Sequence, residues 1–199
     1  MSSPDKLLPR LRNLHARPSP GSPIGLKLET RRLKEENKII KKESITDSLT
    51  GLYNRRLFDV ELNRISHSRH SFFLFIIDID KFKTINDIYG HPEGDSVLID
   101  SAKILTRSFR KDDIVCRIGG DEFGVLMIDE QDINNNEILK LKLSEIEENL
   151  LSINKERAIN NLPIFTFTVG HATNSSSINN IYSIADIDLY NNKREKGIN

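Results

Sequence analysis

Six apolar residues in a row, Phe72 to Ile77, run directly into Asp78-Ile79-Asp80. Aromatic and β-branched side chains without a polar break predict a central strand covered on both faces. Elsewhere the pattern is periodic. Leu26, Leu33 and Ile40 recur every seven residues in a Lys- and Glu-rich stretch, which predicts a helix over 26–45. One apolar position per heptad makes a poor coiled-coil seam, although Asn37 could set register in a parallel dimer. The repeat stops at Thr46–Arg56, where Asp47 or Thr50 could cap a turn and Gly51 permits a sharp redirection. Leu57, Phe58, Leu62 and Ile65 then share one stripe of a helix over 54–66.

Beyond the strand, 81–89 reads as a short helix, and Val97, Leu98, Ala102, Ile104 and Leu105 predict a second over 94–109. Two short apolar runs, Ile114-Val115 and Val125 to Ile128, flank Gly119-Gly120. They predict a tight β-hairpin whose glycines take positive φ. An amphipathic helix over 137–154, a strand over 164–170 and a helix over 179–193 complete the order. Such an order predicts an α/β sandwich with mixed or antiparallel pairing. A Rossmann fold is excluded, because no glycine fingerprint follows the first strand.

Two acidic sites stand out against this frame. Asp121 and Glu122 adjoin the glycine turn with no local cation, and Asp78 ends the central strand. An exposed acidic turn would explain the first alone. Pairing of the strand beside the hairpin would bring Asp78 and Asp121 to one point, where a hard divalent cation and phosphate oxygens would offset the charge. Asn86 and Asp95 suit a purine edge, since an amide donates and accepts while a carboxylate accepts from ring and amino N–H groups, as in guanine. Each also suits a helix cap or a solvated surface. Lys83 could reach phosphate or face solvent. Arg110 and Asp113, three apart, could form a salt bridge on one turn or clamp a phosphate and a guanine together.

Composition narrows the class. With 199 residues, 37% apolar, the chain can bury one ordinary core. Twenty-nine basic and twenty-nine acidic residues cancel, so no general field for nucleic acid is expected. The single cysteine, Cys116, excludes an intrachain disulfide and reads as a buried thiol. No apolar run approaches membrane length and no signal-peptide core is evident, which predicts a cytoplasmic location without membrane contact. Residues 1–25, with five prolines, read as a flexible lead.

Five ordered blocks carry a resemblance. They are Asp47-x-Leu49-Thr50-Gly51-Leu52-x-Asn54-Arg55-Arg56, Asp78-x-Asp80-x-Phe82-Lys83-x-Ile85-Asn86-Asp87, Gly90-His91-x-x-Gly94-Asp95, Gly119-Gly120-Asp121-Glu122-Phe123 and Ala185-Asp186-x-x-Leu189-Tyr190. Together they resemble the GGDEF-domain family, the bacterial diguanylate cyclases, over 46–199. The resemblance implies a palm-like α/β sandwich, nucleotidyl-cyclase-like, with a central sheet surrounded by helices. It also implies condensation of two GTP into cyclic di-GMP and two pyrophosphates across a homodimer. Asp78, Asp121 and the Ile79 carbonyl would hold Mg²⁺, with Mn²⁺ an alternative and two ions per site. Glu122 would activate the 3′-hydroxyl or bind the second metal. Asn86, Asp95, Gly119 and Gly120 would bind substrate, Lys83 and Lys193 would contact phosphates, and Arg110 with Asp113 would form an inhibitory product site. The helix over 26–45 would connect an upstream sensor. The carboxyl end departs from the family: Gly197 and Ile198 stand where arginine is usual, with Arg194 and Lys196 as differently placed substitutes. An alternative is therefore a catalytically weak GTP- or cyclic di-GMP-binding module. A palm of another cyclase or polymerase kind would share the carboxylates but not the full motif set.

Overall fold

A computed structural model of the chain describes residues 22–68, 71–129, 135–173 and 180–198. Residues 1–21 of the expected lead, the polar stretch 130–134 and the loop 174–179 lie outside them. Helix α1 spans Pro23–Ile45, slightly longer than its heptads predict. Its Leu26 and Leu33 are exposed; the side chain of Ile40 lies outside the described residues. Residues from Ile45 onward form a second compact unit.

That unit is built on a five-stranded sheet. β1 (Tyr53–Asn54), β2 (Ser71–Ile79), β3 (Ile114–Arg117), β4 (Glu122–Asp129) and β5 (Phe167–Thr173) lie in the order β1-β3-β4-β2-β5. β1 runs parallel to β3 and every other pairing is antiparallel, so the sheet is mixed, as the element order predicts. Five helices accompany it: α2 (Arg55–Ser66), α3 (Phe82–Tyr89), α4 (His91–Ser108), α5 (Asn135–Ile159) and α6 (Ile181–Glu195). β2 lies inside the sheet between β4 and β5, one strand from the edge and not at the centre the run predicts, and is buried from Phe72 onward, as its unbroken apolar run requires. Phe73, Phe75, Ile77 and Ile79 pack with Val97 and Leu105 of α4 and Ile146 and Ile153 of α5. Phe72, Leu74 and Ile76 pack on the other face with Phe58 and Ile65 of α2 and Ala185 and Leu189 of α6.

Asp47 caps the turn before α2 as expected, accepting from Thr50 N at 2.9 Å and Thr50 Oγ1 at 2.7 Å, and Asn54 caps α2 itself, its side chain accepting from Leu57 N at 3.2 Å. Three local expectations give way. The hairpin exists, but its loop is Ile118–Asp121 and neither of its glycines takes positive φ. The last strand begins three residues later than 164. Asn154 of α5 accepts from Phe165 N at 3.2 Å and donates to Phe165 O at 2.7 Å, occupying the groups a ladder would need. Finally, α4 starts at His91, with Pro92 in its first turn where a missing N–H costs nothing.

Cys116 is fully buried in β3, and burial, with the charges of Asp59 and Glu61, pushes its thiol up to about 12. The folded protein thus keeps a proton that the unfolded chain releases near 9. This contribution to stability is complete below pH 9 and is lost as pH climbs toward 12. The thiolate is the reactive form. Cys116 is therefore expected to resist a thiol reagent such as DTNB at pH 8 in native protein and to react at once in denaturant, as read by absorbance.

Candidate active site

The carboxyl end of β2 meets the amino end of β4. Their antiparallel register sets Asp78 directly opposite Glu122, and on the other side β5 sets Thr168 opposite Asp78. Like charges facing one another across a ladder destabilise it unless something offsets them. Asp121, at the hairpin tip, is joined to the same place by its carbonyl, which accepts from Ile79 N at 3.3 Å. The pairing expected from the sequence has therefore brought Asp78, Ile79, Asp121 and Glu122 to the adjoining ends of two interior strands.

Glu122 is shaped by a glycine. A Cβ on Gly119 would lie 2.6 Å from Glu122 Oε2, so the carboxylate folds back over a position that tolerates no side chain. Gly120 faces open space, and its carbonyl is gripped by Arg117 through Nη2 at 2.6 Å and Nε at 3.1 Å. Arg117 Nη1 also reaches both oxygens of Asp47 at 3.3 Å. Burial pushes the Asp47 carboxyl up, but Thr50 and Arg117 outweigh it and hold it below the ordinary value. The hairpin tip is thereby tied to the turn that precedes α2, a link between residues seventy apart that the separate motifs did not reveal.

One cation answers the carboxylates. Lys193 Nζ of α6 lies 2.7 Å from Asp78 Oδ1. Burial pushes the Asp78 carboxyl above its usual value; Lys193 opposes this, and Asp121 and Glu122 add to it. Among the described residues no three His, Cys, Asp or Glu side chains form a ready metal cluster. The donor set is nevertheless all hard oxygen, held on a rigid strand end and balanced by an ammonium, which suits Mg²⁺ or Mn²⁺.

Asp80 has a different office. It is buried, with Oδ2 accepting from Thr166 Oγ1 at 2.5 Å and Oδ1 from Thr168 Oγ1 at 2.6 Å. Lys196 Nζ lies 3.6 Å from it and donates to Phe167 O at 2.5 Å. The Thr166 and Thr168 hydroxyls therefore anchor the strand end. Lys196 is committed to that anchor and Arg194 lies over the Tyr190 ring, so neither arrangement reproduces a terminal arginine aimed at phosphate.

The junction of α3 and α4 holds the next pair. A Cβ on Gly94 would lie 2.0 Å from Asn86 Oδ1, so the Asn86 amide rests on α4 beside Asp95, which is exposed. Lys83 is exposed on α3. Arg110 and Asp113 sit after α4, but they do not form the side-chain salt bridge. Asp113 Oδ2 accepts from the Arg110 backbone N at 2.7 Å, and the exposed guanidinium makes no ion pair among the described residues. Burial pushes the Asp113 carboxyl up, opposed by that backbone bond and by Lys142 and Arg110. A cavity of about 670 Å³ opens beside the pair, floored by Phe109, Met127, Ile138 and Leu141.

Comparison with known proteins decides the family. Residues 44–199 match the family model described as diguanylate cyclase, GGDEF domain. The chain belongs to the GGDEF-domain family. This GGDEF domain is 39% identical over 150 residues to the probable diguanylate cyclase DgcT of Escherichia coli K12, covering 74% of this chain and 33% of that protein. It is 35% identical over 173 residues to the diguanylate cyclase DgcM of the same strain, covering 84% and 40%. It thus spans about a third of the length of such curated relatives. Among solved structures, the coiled coil and GGDEF domain of DgcB from Caulobacter crescentus, in complex with c-di-GMP, has a TM-score of 0.70 at 26% identity, covering 95% of each chain. The DgcB GGDEF domain alone with c-di-GMP scores 0.64 at 30% identity, covering 76% of this chain and 91% of that one. The palm-like fold is shared. Among the described residues, no helix is long and apolar enough to cross a membrane.

Proposed function

We propose that this domain condenses two GTP molecules into cyclic di-GMP and releases two pyrophosphates, each of two copies presenting one bound GTP to the other. The observation that carries the reading is the register that sets Asp78 against Glu122 at one strand end, with Lys193 the cation beside them. Asp78, the Ile79 carbonyl, Asp121 and Glu122 would hold two divalent ions, which when bound supply charge neutralisation of the triphosphate. Asn86 and Asp95 read the guanine edge, and Gly119 and Gly120 let the chain approach the phosphates closely. Lys83 and Lys193 contact phosphate oxygens. Glu122 accepts the 3′-hydroxyl proton while that oxygen attacks the α-phosphorus of the partner's GTP and the bond to pyrophosphate breaks. Much of the rate gain is alignment of two halves.

Cyclic di-GMP, as product, inhibits by binding Arg110 and Asp113, whose guanidinium is exposed and makes no ion pair among the described residues. Residues 46–199 act as the catalytic unit. Residues 26–45 act as a helical connector to an upstream sensor and 1–25 as a lead; the side chain of Asn37, which could set register in a parallel pair, lies outside the described residues. A second reading is favoured by one observation: Lys196 and Arg194 are occupied within the fold, so a weakly active GTP- or cyclic di-GMP-binding module would follow. The deciding experiment incubates purified protein with GTP and Mg²⁺ over a dilution series. Cyclic di-GMP formation with a rate per subunit that falls on dilution is expected, and added product should slow it. Ligand binding by calorimetry without turnover at high concentration would select the second reading.

A further inference from the structure

Helix α6 is pinned to the edge of the sheet by three side chains four residues apart. Asp188 accepts from His171 N at 2.9 Å, Asn192 donates to Val169 O at 2.8 Å, and Lys196 donates to Phe167 O at 2.5 Å. These occupy backbone groups on the outer side of β5, the side away from β2, which would otherwise be a free edge. The helix also lies directly on the strand, since a Cβ on Gly170 would be 2.3 Å from Ala185 O. Against this fixed rail, Lys193 and Lys196 face Asp78 of β2 and Asp80 just beyond its end in contrasting ways. Lys196 is held by a carbonyl, and the oxygens of Asp80 are already filled by two threonine hydroxyls. Lys193 has Asp78 as its ion-pair partner, and its side chain remains 28% exposed while that of Asp78 is 10% exposed. The lysine can leave toward solvent; the carboxylate cannot.

We propose that Lys193 is an exchangeable counter-ion: its ammonium neutralises Asp78 in the nucleotide-free domain and is displaced when a divalent cation takes that carboxylate. This rests on the reading of Asp78 as a metal ligand. Displacement frees the ammonium on a side chain that already points into the site, so an incoming polyphosphate receives the cation and the lysine together. In the absence of nucleotide, the lysine and the metal compete.

The test is Mn²⁺ binding to nucleotide-free protein, read by electron paramagnetic resonance of free Mn²⁺. Lys193→Met is expected to bind about fivefold more tightly than the parent, the upper end for losing one partly exposed ion pair. Lys196→Met removes a neighbouring charge that does not sit on Asp78 and is expected to stay within about twofold. Unchanged or weaker binding in Lys193→Met overturns the proposal, and so does an equal gain in Lys196→Met, which would mean a general field instead of exchange. A measurement on the parent fold guards against a misfolded variant. With lysines ¹³C-dimethylated, the resonance lost in Lys193→Arg should move toward that of solvent-exposed lysines on adding Mg²⁺, and a fixed resonance overturns exchange. Failure of the wider reading is separate: it appears as absent GTP turnover in the parent, or as Mn²⁺ affinity unaltered by Asp78→Asn.

Discussion

Glu122→Gln is expected to lower the rate of cyclic di-GMP formation by about 10²- to 10⁴-fold, the usual worth of a positioned general base. The substitution keeps shape and removes both the charge and the basic oxygen. It should cost little stability, because Glu122 faces Asp78 across the ladder and one of two opposed like charges is removed. A melting temperature equal to or above that of the parent is the accompanying expectation. Gly119→Ala reaches the same oxygen by another route. The new methyl would stand 2.6 Å from Glu122 Oε2, so the carboxylate must swing away while its chemistry stays intact. Its rate should fall by less than that of Glu122→Gln, with a similar melt. If Glu122→Gln keeps more than about a tenth of the parent rate, a deficit of only some 1.4 kcal/mol, Glu122 is not the base.

The contrast between these substitutions reflects how much of the site could be read from residues in line. The unbroken run Phe72–Ile77 marked β2 as buried on both faces, and pairing beside the hairpin was expected to bring Asp78 to Asp121; that Glu122 stands directly opposite Asp78 is visible only in the register. What local pattern missed was mostly long-range capture of backbone groups. Asn154 took both polar groups of Phe165 and delayed β5; nothing near Ile164 announces a partner eleven residues upstream. The glycines of the hairpin were read as conformational, yet their φ values are ordinary, and Gly119 is required by the carboxylate three residues ahead. The edge rail of Asp188, Asn192 and Lys196 did carry a signal, polar residues at four-residue spacing. Its meaning depends on β5 being an edge, which only the sheet order establishes. Lys196 thereby changed from a candidate phosphate contact to a structural one.

Arg157 should show a large effect on stability for a polar side chain outside the site. Its guanidinium is 2% exposed and holds Glu93, with Asp100 at 2.6 Å, Ser96 at 3.3 Å and the Pro163 carbonyl at 2.7 Å, its plane lying over the Phe165 ring. It thus joins the end of α5 to the first turns of α4. Replacing one member of a buried ion network leaves Glu93 charged without its partner, although Asp100 keeps Lys103 at 2.8 Å, and such a loss typically costs about 3–5 kcal/mol. Arg157→Met retains the stem against Phe165, so its loss would measure the charge; a urea midpoint shift equivalent to less than about 1 kcal/mol would show that solvent replaces the arginine. Adding Glu93→Gln and Asp100→Asn to Arg157→Met should recover much of the loss, since no charge is then stranded. The same triple variant carries a functional consequence. Glu93 adjoins Gly94, on which the Asn86 amide rests, so freeing the start of α4 is expected to raise the KM for GTP more than it lowers kcat. A stable triple variant with parent KM would mean that the α3–α4 junction holds its shape without the arginine.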